Sequence, residues 1–253
     1  MSRIMKLGLI ISLLISVVFL QLGIIEPSSA QNLGKSPVEE GFTEWEILDY
    51  NSDFLGGWYA LDWSLRGYWV AEVGDTINFT ISHYNDSNLD DPYAGNVAIG
   101  NFSASVPMSE VAMSLILSVY PWNPGLITHT NWTWHREQAH TAANDTLTDS
   151  TLDITESNQE YLGKLISTIK FVYKQDPVKG NQNTTLVYDV TTGLLLYANT
   201  ELNFGTYYKL EIIISETDIP IITASGFDLL IIVLTFSPLL VYYGLRRRKN
   251  TYR

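Results

Sequence analysis

Apolar and polar positions follow two different patterns along this chain: unbroken apolar runs near both ends, and alternation between them. Residues 229–245, LLIIVLTFSPLLVYYGL, carry no charge and lead directly into Arg246, Arg247, Arg248 and Lys249. Seventeen residues in a helix cover roughly 25 Å, close to the thickness of a hydrocarbon core. Eleven of them are Leu, Ile, Val or Phe, which sum to roughly −3 to −7 kcal/mol on the insertion scale despite Pro238. This pattern predicts a single transmembrane helix over 227–245, with the basic cluster as its stop-transfer signal and 246–253 as a cytoplasmic tail. At the other end, Arg3 and Lys6 precede the apolar stretch Leu7–Leu20, and small residues follow at Ser28, Ser29 and Ala30. That is the form of a secretory signal peptide, residues 1–30, cut after Ala30. An uncleaved signal anchor exports the same middle segment. Both basic flanks fall on the side that is then cytoplasmic, as the positive-inside bias requires.

Between these ends the period shortens to two. Residues 31–44 hold few apolar anchors and read as a flexible lead-in to an extracellular domain over 45–216. Thr76–His83 has the β-branched and aromatic content of a strand, and 54–70 reads as two strand-like runs broken by glycine. Further short strands are expected near 150–156, 164–174, 184–190, 194–200 and 206–215. The clearest hairpin is 183–200, in which Leu186, Tyr188 and Val190 alternate before a turn from Asp189 to Gly193. Ser109 followed by EVAMSLILSVY predicts a serine-capped helix ended by Pro121, and a weaker helix is expected over Trp134–Ala143. The resulting expectation is an α+β fold: a twisted antiparallel β-sheet with one or two packed helices, joined by a juxtamembrane connector, 217–226, to the C-terminal transmembrane helix.

Charge agrees with this orientation. Setting aside the ends leaves 8 basic against 25 acidic residues in 31–225, a formal charge of −17. A domain this acidic does not attract nucleic acid or anionic lipid electrostatically. Cysteine is absent, which excludes disulfides, thiolate chemistry and a lipidated cysteine after the signal. Six N-x-Ser/Thr acceptors lie in the exported segment, at Asn78, Asn85, Asn101, Asn131, Asn144 and Asn183, and none has proline at its middle position.

Signal peptide, sequon-rich cysteine-free ectodomain and terminal anchor with a basic cluster together resemble the uncharacterised cell-surface proteins of archaea, Asgard lineages included. Ser225-Gly226-Phe227 is similar to the Pro-Gly-Phe motif of archaeal C-terminal sorting signals, with Ser225 in the proline position. In that family the anchor is removed and replaced by a lipid. The hairpin YDVTTGLLLY also resembles the Tyr-Asp and Thr-Gly-x-Leu hairpins of half-barrel lipoprotein-carrier domains.

Chemistry-bearing groups are few. Asp86, Asn88 and Asp90 have the alternate spacing that opens a calcium loop, but Asp91 replaces its glycine and Val97 its glutamate. His129, His135, Glu137 and His140 share twelve residues, at offsets that a helix does not bring together. Trp58, Tyr59, Trp63, Tyr68 and Trp69, with Trp122, Trp132 and Trp134, form either core or an aromatic platform. No nucleophile elbow or phosphate loop occurs, so no catalytic or cofactor residue is assigned. The sequence therefore points to an exported, membrane-anchored surface protein whose partners are the lipid bilayer and an extracellular ligand or envelope protein. A carrier of an apolar ligand in a sheet–helix pocket is the alternative, and a metal-dependent hydrolase a third class, requiring His129, His135 and Glu137 or His140 to converge.

Overall fold

The computed structural model describes residues 38–52, 58–59, 68–69, 72–85, 87–100, 102–119, 121–203 and 207–223. The predicted signal peptide with Ala30, the sequon at Asn101, the transmembrane run 227–245 and Arg246–Lys249 lie outside them. Among the described residues no helix is long and apolar enough to cross a membrane.

In chain order the elements are β1 (Gly41–Ser52), β2 (Trp58–Tyr59), β3 (Tyr68–Trp69), β4 (Thr76–Tyr84), β5 (Tyr93–Ile99), β6 (Phe102–Pro107), α1 (Met108–Ser114), α2 (Trp132–Ala143), β7 (Ser150–Tyr161), β8 (Lys164–Gln175), β9 (Gln182–Asp189), β10 (Leu195–Asn203) and β11 (Tyr207–Thr217). Nine of these strands form one sheet in the order β6-β5-β4-β1-β11-β10-β9-β8-β7, with every pair antiparallel. β2 and β3 pair separately, Trp58 opposite Trp69. The fold is thus α+β, an antiparallel sheet carrying two helices.

Two meanders meet at the centre of this sheet, β4–β6 on one side of β1 and β7–β11 on the other. The segment 108–149 must therefore cross from edge to edge, roughly 38 Å at ~4.8 Å per strand. It crosses over one face and covers it, with α1 against β5 and β6 and α2 against β7. Alternation in the strands matches this single covering. Ile77, Phe79 and Ile81 of β4 are buried, as are Tyr208, Leu210, Ile212 and Ile214 of β11, while their neighbours are half-buried or exposed. Trp45 of β1 sits in the middle, fully buried, and its indole N–H donates to the Leu195 carbonyl at 2.8 Å.

The first helix differs from its sequence expectation at both ends. Its N-cap is Pro107, and Ser109, the expected cap, lies inside the helix. The cap comes from elsewhere: the Asp91 carboxylate accepts from the Ser109 N–H at 3.1 Å and from its hydroxyl at 2.6 Å. A carboxylate at a helix start satisfies orphan donors and opposes the positive end of the peptide dipoles. Burial raises the Asp91 pKa nonetheless, against those two bonds. Asp91→Ala should cost about 1–2 kcal/mol, the range for lost helix caps, in a urea titration at pH 7. The helix stops at Ser114, well short of Pro121, because Ile116 adopts φ +54°. Leu117 N–H then reaches the Ala112 carbonyl and Ile116 N–H the Met113 carbonyl, a Schellman closure with a β-branched residue where glycine is usual. The second helix starts at Trp132, with Asn131 as its cap: the side-chain oxygen accepts from Trp134 N–H at 3.1 Å.

Ordered structure also runs past both ends of the 45–216 span. β1 begins at Gly41 inside the expected lead-in, and Val38 is buried. After β11, Ile219 and Ile221 are buried and Thr223 forms a bridge with Ile166, so the first part of the expected connector stays against the domain.

Candidate functional site

The most unusual chemistry in the described residues is a pair of histidines where the crossing segment meets the β9–β10 turn. That turn is built by its own residues. Asp189 accepts from Thr191 N–H and from the Thr192 hydroxyl, both at 2.8 Å, and Gly193 N–H returns to the Asp189 carbonyl. Asp189 is buried, which pushes its carboxyl pKa up while these bonds oppose the rise. Residues 126–128 then run alongside 193–195: Thr128 N–H donates to the Gly193 carbonyl, Leu195 N–H to the Leu126 carbonyl, and Ile127 bridges Leu194. Tyr188 locks the same junction through its hydroxyl, which donates to the Gly125 carbonyl at 2.8 Å. The Tyr-Asp and Thr-Gly residues of the hairpin are therefore each accounted for by local turn bonding and packing.

His129 leaves this junction just before the α2 cap, and His135 comes from the first turn of α2. Their rings stack with centroids 4.2 Å apart, both buried. His135 Nδ1 accepts from the Trp122 indole N–H at 3.3 Å, and His129 Nδ1 accepts from Asn131 N–H at 3.1 Å. Each Nδ1 faces a donor, so each neutral ring carries its proton on Nε2. His135 Nε2 lies 3.1 Å from the His129 carbonyl and 2.9 Å from the Thr128 hydroxyl, and His129 Nε2 is buried on the side of the Leu89 backbone. A second proton on either ring would have to enter at Nδ1, against an N–H. Burial lowers the His135 pKa to about 3, helped by His129. Burial likewise lowers that of His129 to about 4, while the Leu89 backbone and the Asp90 carboxylate pull the other way.

This arrangement is poor in catalytic capacity. Thr128 and His135 are within hydrogen-bond distance, but a ring protonated on Nε2 cannot take the hydroxyl proton. Glu137 and His140 point to solvent on the far side of α2 and do not join the pair. Among the described residues, no group of three His, Asp or Glu side chains could hold a metal. Asp91 of the acidic loop is committed to Ser109, and Asp86 lies outside the described residues. Trp122 and Trp132 pack on Phe171, and the Trp132 indole donates to the Val190 carbonyl, so these tryptophans belong to the core rather than to an open platform. Trp63 is outside the described residues.

The sequons separate by environment. Asn85 is exposed, its oxygen accepting from Ser87 N–H and hydroxyl in an Asx turn that leaves the amide nitrogen outward. Asn144, at the end of α2, and Asn183, on β9, are also exposed. Asn78 lies mid-sheet between Glu44 and Ala98 with its carbonyl oxygen buried and its nitrogen bonded to Thr76. Asn131 is engaged as a helix cap. No protein-family model, curated protein or solved structure matches the chain.

Proposed function

We propose that this is an exported cell-surface protein of the archaeal type, held by its C-terminal apolar run. Its acidic domain serves the envelope or binds an extracellular partner through its open sheet face. Support for location comes from the two apolar ends, their basic flanks and the six sequons. The observation that carries the envelope role over the carrier role is the aromatic packing on the covered face among the described residues. Where a carrier needs room for an apolar guest, Trp122, Trp132, Phe171 and Tyr188 lie against one another, with ring centroids 4.8–6.5 Å apart. The opposite face carries polar pairs, a Lys209–Asp49 ion pair at 2.6 Å and a Tyr197–Glu211 hydrogen bond at 2.9 Å, beside Val187 and Ile213. On this reading glycans sit on the exposed Asn85, Asn144 and Asn183, whereas Asn78, whose amide nitrogen is bonded within the sheet, stays bare.

Native mass spectrometry of the domain purified from its own host tests the choice. A protein ion free of bound lipid is expected. A stoichiometric apolar ligand retained through purification transfers the conclusion to the carrier.

A further inference from the structure

The end of the sheet from which the chain departs toward its apolar run carries a patch that packing does not explain. Thr223 bridges Ile166, so the chain leaves the described domain beside the start of β8, next to the β7–β8 turn. Among the described residues, large hydrophobic side chains are exposed along this end: Leu162 at the turn is 37 % exposed, Leu165 43 % and Ile222, one residue before the Thr223 bridge, 61 %. The turn itself is unusual. Tyr161 pairs with Lys164 across two residues, and both of these, Leu162 and Gly163, have positive φ, +51° and +67°. Such two-residue turns favour Asn, Asp or Gly at the first position, and leucine there is strained. Leu162 is thus neither a good turn residue nor a core residue, and strain kept in an exposed side chain points to something the side chain does.

Chain length says what lies nearby. From Thr223 to Leu229, where the uncharged run begins, six residue steps reach at most roughly 20 Å. The headgroup layer of a leaflet takes up roughly 5–8 Å of that distance. We infer that the β7–β8 tip, with Leu162 and Leu165 beside Ile222, rests on the outer surface of the bilayer in which this chain is anchored. This rests on the anchored reading above.

Lys164 at the tip can place its ammonium among headgroups while its stem lies along the leucines. Glu160, Glu216 and Asp218 are exposed in the same stretches and oppose contact with anionic lipid. The surface that fits is therefore zwitterionic or uncharged, touched through apolar side chains at headgroup depth.

A chain without cysteine makes the test direct. Leu162→Cys, Leu165→Cys and, at the other end of the sheet, Val178→Cys are each labelled with a fluorophore in the full chain. Each is reconstituted into phosphatidylcholine vesicles carrying a headgroup nitroxide lipid. Labels at 162 and 165 should be quenched several-fold more than the label at 178, and phosphatidylserine in the vesicles should weaken the difference. Leu162→Asn should fold with equal or higher Tm, since it suits the turn, yet reduce quenching at 165. Equal quenching at 162 and 178 in protein that floats with the vesicles overturns the contact while leaving the anchor intact. A label at 162 that is shielded but not quenched also overturns it, in favour of a second copy covering the tip. Failure to float overturns the anchored reading itself.

Discussion

Lowering the pH from 7 to 4.5 should remove most of the stability of the folded domain. His129 and His135 titrate near 6.5 in an unfolded chain but at about 4 and about 3 when folded, chiefly because they are buried. A folded state that binds fewer protons than the unfolded one is stable above the unfolded pKa. It loses stability as pH falls from about 6.5 toward the folded values. Each histidine contributes ~1.4 kcal/mol per pH unit inside that window, so two of them over two units give ~5 kcal/mol. Whole domains have only about 5–15 kcal/mol to lose. Asp91 and Asp189 act in the opposite sense: their carboxyl pKa values are raised on folding, so protonation favours the fold. Their gain as pH falls offsets part of the histidine loss. Urea titrations followed by tryptophan emission at pH 7, 5.5 and 4.5 check this, and His135→Gln should make the slope with pH shallower. Stability that does not change between pH 7 and 4.5 would show that the rings are solvated and not stacked in the core.

Replacing Gly193 by alanine should cost about 3–5 kcal/mol, the upper range for single substitutions. Two independent requirements meet at this residue. Its φ is +74°, and an added Cβ would lie 1.9 Å from the Thr128 carbonyl oxygen. Nothing can give way cheaply, because the clashing atom is backbone and Thr128 N–H is itself bonded to Gly193. Displacing Thr128 also disturbs His135, which its hydroxyl contacts. Gly74→Ala provides the comparison, having φ +92° but no atom within 4 Å of the added carbon. It should cost only about 1–2 kcal/mol, the penalty of a left-handed backbone alone. Similar losses for both variants, measured by denaturant unfolding, would mean that 126–128 does not pack on the turn.

How far the residues announced this architecture depends on which neighbour each strand met. β4 and β8–β11 were legible because Ile77, Phe79 and Ile81, or Leu210, Ile212 and Ile214, alternate cleanly with polar positions over a sheet covered on one face. β5 and β6 were not: Gly95, Asn96, Ser103 and Ser105 lower their strand character, and pairing from β4 outward together with the packing of α1 holds them instead. The far half of β7, with Glu156, Ser157, Asn158 and Gln159, has no apolar period and is recruited by its register with β8. Ser109 looked like a helix cap on local grounds, but Asp91 arrives from a loop that sequence spacing does not connect to it. The histidine pair was hidden for the same reason. On one helix an offset of six separates His129 from His135, yet His129 precedes the Asn131 cap, and the chain folds back to stack the rings. The Asp189–Gly193 turn, by contrast, was readable, because its bonds lie within five residues.

Intact mass of the protein extracted from its native membrane bears most directly on the exported, anchored assignment. That assignment predicts a chain beginning at Gln31, carrying glycan mass that peptide mapping places on Asn85, Asn144 and Asn183, and recovered only with detergent. A polypeptide of the full unmodified mass, obtained from cytosol without detergent, contradicts it.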